Sequence, residues 1–151
     1  MKSEVTVSGD RVQITRVFAA PREVVFGWWS SAEKLQQWSG CKEARHCEIQ
    51  MDFRPGGGFT QKMQIDGAGD FTLTGKYEEI VAPERIVYQA DMVHAQTRVT
   101  VEFFEQGKNT KVVLTHEGLP SEFLGKTISQ GTMESMDKLE PLLTVPAVAG
   151  S

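Results

Sequence analysis

Three histidines, two cysteines and one run of glycines are the residues in this chain whose types could carry chemistry. Cys41, His46 and Cys47 offer thiolate and imidazole donors, but their spacing fits no structural zinc pattern and supplies no fourth ligand. Reduced, structural thiols and no metal are therefore expected, and two cysteines do not make a disulfide framework. Arg54-Pro55-Gly56-Gly57-Gly58-Phe59 has the glycines of a phosphate cradle. It lacks the Lys-Ser/Thr of a P-loop and leads into a strand pattern instead of a helix, so a tight turn needing positive φ is expected. His116 is the strongest polar candidate. An imidazole can hydrogen-bond a ligand or transfer a proton near neutral pH, and it can equally be a core histidine satisfied by a backbone carbonyl. His94 is expected on a hairpin tip, and Asp52, Arg54, Glu79 and Arg85 flank turns, where charges form local pairs. No Ser-His-Asp, paired-carboxylate or Cys-His spacing stands out, so no catalytic residue is assigned.

The elements that must position these groups are clearest at the C-terminal end. Leu124, Ile128, Gly131, Ser135, Leu139 and Leu142 recur at helical steps within Ser121 to Leu143, with Glu122, Lys126, Gln130, Asp137 and Glu140 on the opposite side. Ser121 is placed to cap the helix, and Pro141 should end or kink its last turn. Gly131 and Ser135 are small where a core-filling stripe would place Leu or Ile, which predicts space between helix and sheet unless the facing side chains are large. Met133 is expected on the solvent side, where it could mark a homodimer contact.

From Phe59 onward the period is two. Phe59, Met63 and Ile65, then Phe71, Leu73, Gly75 and Tyr77, then Ile86, Tyr88, Ala90 and Met92, share an inner face with Val99, Val101, Phe103, Val112, Leu114 and His116. Val5 to Phe18 reads as one long strand, interrupted near Gly9-Asp10 by a bulge or bend. Two short helices follow, Arg22 to Trp29 and one capped at Ser30-Ser31-Ala32-Glu33 that ends near Trp38. Gly40 to Arg45 is expected as a loop and Cys47 to Phe53 as a strand. About seven antiparallel strands, two short helices and one long closing helix give an α+β domain over residues 1–144, with 145–151 as a flexible tail.

At 151 residues this is one domain, long enough to bury roughly two-thirds of its unfolded surface. A net charge of −4 with no Lys/Arg cluster argues against nucleic acid, and no apolar run reaches the length of a membrane-spanning helix. Met1-Lys2-Ser3-Glu4 is not a signal peptide, and a soluble, cytoplasmic protein without a cofactor is expected.

With the pieces in this order, the chain resembles the helix-grip fold of the START-like (SRPBCC) superfamily, which includes the birch pollen allergen. Within it the chain is similar to bacterial homologues of the activator of heat-shock protein 90 ATPase. Ile14-Thr15-Arg16-Val17-Phe18 before Ala20-Pro21, Val25-Phe26, Trp38, Met51-Asp52-Phe53-Arg54-Pro55-Gly56-Gly57 and Gly75 to Ile80 through Pro83-Glu84-Arg85 carry the resemblance. Leu114-Thr115-His116 and Gln130-Gly131 through Met136 to Leu139 complete it. Two departures remove bulk. Thr132 stands where the family commonly has a tryptophan, and Ser39 where it often has an aromatic. Relatives in the superfamily bind lipids, sterols and polyketides, and some are cyclases or parts of hydroxylating systems.

These readings converge on a small-molecule pocket of about 300–1,000 Å³. Phe59, Met63, Phe71, Tyr88, Met92, Val101, Phe103, Leu114 and His116 are expected to line it from the sheet. Ile128, Thr132, Ser135 and Met136 would line it from the long helix, and Trp29 and Trp38 from the short ones. A small hydrophobic ligand, lipid-like, sterol or aromatic, is the leading expectation. The resemblance adds two alternatives: a chaperone partner whose ATPase is stimulated through an external surface, and a cyclase or hydrolase using His116.

Overall fold

The period-two stretches become a single curved antiparallel sheet of eight strands, covered on one face by helices. The computed structural model describes residues 4–39, 44–67, 69–92 and 95–143. In chain order these form β1 (Glu4–Ser8), β2 (Arg11–Phe18), α1 (Arg22–Ser30), α2 (Ala32–Leu35), β3 (Ala44–Met51), β4 (Gly58–Ile65), β5 (Gly69–Val81), β6 (Arg85–Met92), β7 (Ala95–Gln106), β8 (Asn109–Glu117) and α3 (Glu122–Leu143). The strands lie in the order β1-β2-β8-β7-β6-β5-β4-β3.

The strand count exceeds the expected seven because the first strand is not one strand. Gly9 adopts a φ of +58°, which reverses the chain into a two-residue hairpin instead of a bend, and Val7 faces Val12 across it. The glycine run is a turn, as expected. Gly56 sits at φ +87°, and a Cβ on Gly57 would lie 2.0 Å from the Asp52 carbonyl oxygen. Its amides are already spent, Gly56 N–H on the Tyr77 carbonyl at 2.7 Å and Gly57 N–H on that of Arg54 at 2.8 Å. They hold the β3–β4 turn against β5.

Cross-strand register aligns the inner face in rows. One row runs Tyr77, Tyr88, Val99, His116, Val12, Val7, and the next runs Ile80, Ile86, Val101, Leu114, Ile14, Val5. A third runs Phe59, Gly75, Ala90, Thr97. The hydrophobic alternation places each of these side chains on the helix-covered face.

Ser121 caps α3, its Oγ accepting from the Leu124 amide at 3.1 Å, and Pro141 lies within the last turn without ending the helix. In the first half of α3 the buried face is turned about one position, with Gly125 and Ser129 buried beside the expected Leu124 and Ile128, whereas Ser135 and Leu139 of the expected stripe are buried, together with Met136. The reason lies beneath the helix. A Cβ on Gly125 would be 3.1 Å from Val12 Cγ2 and 3.4 Å from Val7 Cγ1, so the close approach of α3 to β1 and β2 is made at Gly125. Met133 corrects the expectation of a solvent-side residue, since it is half-buried and packs on the core. At the other end, Arg16 is 2% exposed on the inner face of β2 and binds Asp137 Oδ1 at 2.6 Å and Glu140 Oε2 at 3.1 Å. A guanidinium this deep needs charged partners to offset its lost hydration, so the pairs hold the last turns of α3 to the sheet.

In α2, the cap differs slightly from the expected box, with Ser31 accepting from the Lys34 amide while Ser30 Oγ donates to the Gly27 carbonyl. Residues 40–43, Ala68, Val93, His94 and the tail 145–151 fall outside the described residues, and with them Cys41 and the expected hairpin-tip histidine. Arg45 lies in β3 instead of in the loop expected over Gly40 to Arg45.

Candidate functional site

The inner face is bridged by a chain of aromatic rings, and its two ends differ. At one end α1 packs on β7 and β8. Trp29 there meets Trp38 at 4.6 Å between ring centroids, Phe103 at 5.2 Å and Phe18 at 6.5 Å, all edge to face. Trp38 Nε1 donates to the Trp28 carbonyl at 3.1 Å, so its one polar group is satisfied inside the cluster. Phe26 continues the chain, 5.2 Å from Phe103 and 6.0 Å from Phe53. Trp29, Trp38 and Phe103, expected as pocket lining, are interlocked here and buried.

Through Phe53 and Tyr77, 5.1 Å apart, the chain reaches a second end, where Phe59 and Tyr88 meet edge to face at 5.4 Å. Both are only half-buried, as is Leu73, and Phe71 is exposed. The closest approach of α3 is to β1 and β2, and from there the sheet continues through β8, β7, β6, β5, β4 and β3. Gly75 is required beneath Phe59, because a Cβ there would fall 2.3 Å from the ring and 2.1 Å from the Gln89 carbonyl oxygen. An open concavity of about 540 Å³ lies on the same strands, lined by Met51, Phe59 and Gly75 and by the polar Gln50, Thr60 and Thr74. A second, of about 340 Å³, is lined by polar residues including Glu78 and Arg98, which pair through two contacts of 2.8 and 3.2 Å. Neither concavity takes a lining residue from α3.

Of the other expected site residues, Met63, Val101, Leu114 and Met136 are buried in the core, and Ile128 and Thr132 are half-buried on α3. Ser135 is buried, with its hydroxyl donating to the Gly131 carbonyl at 3.0 Å. The Met92 side chain lies outside what is described. Reading by residue type missed Phe53, Tyr77 and Thr97, although the period-two alternation assigns Tyr77 and Thr97 to the inner face.

His116 is 7% exposed and bonds a hydroxyl instead of the backbone carbonyl that was one expectation. Its Nε2 lies 2.7 Å from Thr97 Oγ1, which itself donates to the Ala90 carbonyl at 2.9 Å. Burial pushes the imidazole down to about 4, so near neutral pH the ring is uncharged. Uncharged, the ring can both donate and accept a hydrogen bond. Burial also pushes the Tyr88 hydroxyl up to about 12, so it stays a neutral phenol. Among the described residues, no group of three or more His, Cys, Asp or Glu side chains is placed to hold a metal ion.

The model of the activator of Hsp90 ATPase homolog 1-like protein family matches residues 19–144. The chain belongs to this family. Solved structures carry the same fold. A protein of Chromobacterium violaceum superposes with a TM-score of 0.79 at 20% identity, over 89% of this chain and 96% of its own. The AHSA1 protein of Silicibacter pomeroyi gives 0.75 at 23% identity, over 88% and 96%. A protein of Rhizobium leguminosarum gives 0.72 at 26% identity, over 93% and 97%. No curated protein matches the chain. In this family member the fold is the helix-grip arrangement, and among the described residues no helix is long and apolar enough to cross a membrane.

Proposed function

We propose that this family member binds a small, largely apolar molecule against the half-covered end of its aromatic chain. Phe59, Leu73 and Tyr88 would form the apolar wall, with His116 as a polar group further along the inner face. The observation that carries this is the Phe59–Tyr88 pair, 5.4 Å apart and half-buried on strands beyond those on which α3 packs. Half-covered aromatic surface with a few placed polar groups is what a small-molecule site offers. The expected lining residues Trp29, Trp38 and Phe103 contribute by holding α1 and the sheet rigid behind that wall.

A thermal-shift screen of lipids, sterols and polyphenols tests it. A binder at a concentration a hundredfold above its Kd raises stability by about 2.7 kcal/mol through linkage. The expected result is a melting temperature raised by at least one class and not raised in Phe59→Ala. Uniform silence across the screen contradicts the reading.

The family description supports a second reading, stimulation of a chaperone ATPase through an external surface. Phe123, 80% exposed on the first turn of α3, is an apolar group available for such a contact. Added to a bacterial heat-shock protein 90, the protein should then raise ATP turnover, and Phe123→Ser should lower the effect. Unchanged turnover removes this reading. With either, a cytoplasmic location is part of the proposal.

A further inference from the structure

Tyr77 is a buried phenol with a poor partner. It is 5% exposed, and Phe53, Phe59 and Tyr88 surround its ring at 5.1, 5.5 and 6.0 Å between centroids. Among the described residues its hydroxyl has one polar contact, the Met51 sulfur at 4.0 Å. A thioether is a weak acceptor, so a hydroxyl that leaves water for it recovers little of its hydration. Burial, with Tyr88 beside it, pushes the phenol up from its ordinary range, so the group stays a donor.

Met51 itself is half-buried and lines the open concavity on β3, β4 and β5, where small solutes reach it. Met63 and Met136, by contrast, lie in the core at 7% and 0% exposed, and Met133 packs against it. The 4.0 Å separation is at the long limit for a hydrogen bond to sulfur. It matches one sulfur–oxygen bond followed by an O–H···O hydrogen bond of about 2.7 Å. An oxygen added to the sulfur on the side of Tyr77 therefore falls within reach of a donor already in place.

We propose that Met51 is a modification site for hydrogen peroxide and small alkyl hydroperoxides, and that Tyr77 holds the methionine sulfoxide formed there. The sulfur lone pair takes the terminal oxygen of the peroxide as the O–O bond breaks. Sulfur gives up two electrons and the peroxide is reduced. The proton of the transferred oxygen passes to the departing one, which leaves as water or an alcohol. The sulfoxide oxygen is a strong acceptor, so the Tyr77 hydroxyl gains the partner that the thioether supplies only weakly. At Met63 or Met136 the same oxygen would enter the core.

Dilute hydrogen peroxide followed by peptide mass spectrometry tests the site. Met51 should gain one oxygen before Met63, Met133 and Met136 do. At that stage, oxidation should reduce the folding equilibrium constant of Tyr77→Phe on the order of tenfold more than that of the wild type, as one lost hydrogen bond requires. Urea unfolding reads this difference, in which oxidation elsewhere cancels. Met51→Gln sets an amide oxygen in place of the sulfoxide and should show the same dependence on Tyr77 without peroxide. Oxidation of Met133 or of a core methionine ahead of Met51 overturns the site. Equal losses with and without the Tyr77 hydroxyl, for the sulfoxide and for Met51→Gln alike, overturn the role of Tyr77.

Discussion

Both ends of the aromatic chain are built from aromatic rings, tryptophan and phenylalanine at one and phenylalanine and tyrosine at the other, and they differ in what lies over them. Around Trp29 and Phe103, α1 and α2 close on the sheet and every ring meets another edge to face. Around Phe59 and Tyr88 the sheet has curved beyond the strands that α3 packs on, and the rings keep part of their surface open. Aromatic rings therefore lock the fold together at one end and stay partly open at the other, where the proposed ligand would sit. Aromatic composition alone does not separate the two roles; the covering helix does.

The largest expected break in this comparison is Phe103→Ala. Removing a ring that is 1% exposed and contacts Phe26 and Trp29 should cost about 3–5 kcal/mol in urea unfolding. Gly75→Ala should come next, at about 1–3 kcal/mol, because its Cβ would meet both the Gln89 carbonyl and the Phe59 ring. A loss confined to binding, with stability unchanged, would show that the strand can yield there.

His116 gives a pH-dependent test. Its folded value, about 4, lies below the ordinary 6.5, so the unfolded chain takes up the proton first as pH falls. The contribution of this group to stability is intact above about 6.5 and is lost by about 1.4 kcal/mol per pH unit between there and about 4. His116→Gln should flatten that part of the stability profile. An unchanged slope would mean that the ring is not held neutral. Phe59→Ala should cost less than Phe103→Ala, about 1–2 kcal/mol, since the ring is only half-buried. Phe123→Ser should stay within about 0.5 kcal/mol, being a change at an 80% exposed position.

Much of the architecture was legible because strand alternation is a strong signal. From Phe59 to His116 each inner-face residue named from period two, apart from Met92, whose side chain lies outside what is described, lies in a strand on that face. The first hairpin was not legible, because Gly9-Asp10 suits a bulge as well as a reversal and only pairing decides between them. The first half of the helix face was misjudged by one position for a related reason. Gly125 looks like a weak core residue until Val7 and Val12 are seen beneath it. Arg16 belongs to the inner face by alternation, yet a charge there is unreadable until Asp137 and Glu140 arrive from more than a hundred residues away. At the candidate site, His116 was visible by type. Its orientation depends on Thr97 and Ala90, and no local pattern joins those three residues.

The most direct test is a titration of the isotopically labelled protein with α-naphthol, followed through backbone and side-chain resonances. The account predicts shifts centred on Phe59, Leu73, Gly75, Tyr88 and His116, with Trp29 and Phe103 nearly still. Shifts centred on Trp29 and Phe103, or none at saturating ligand, would contradict it.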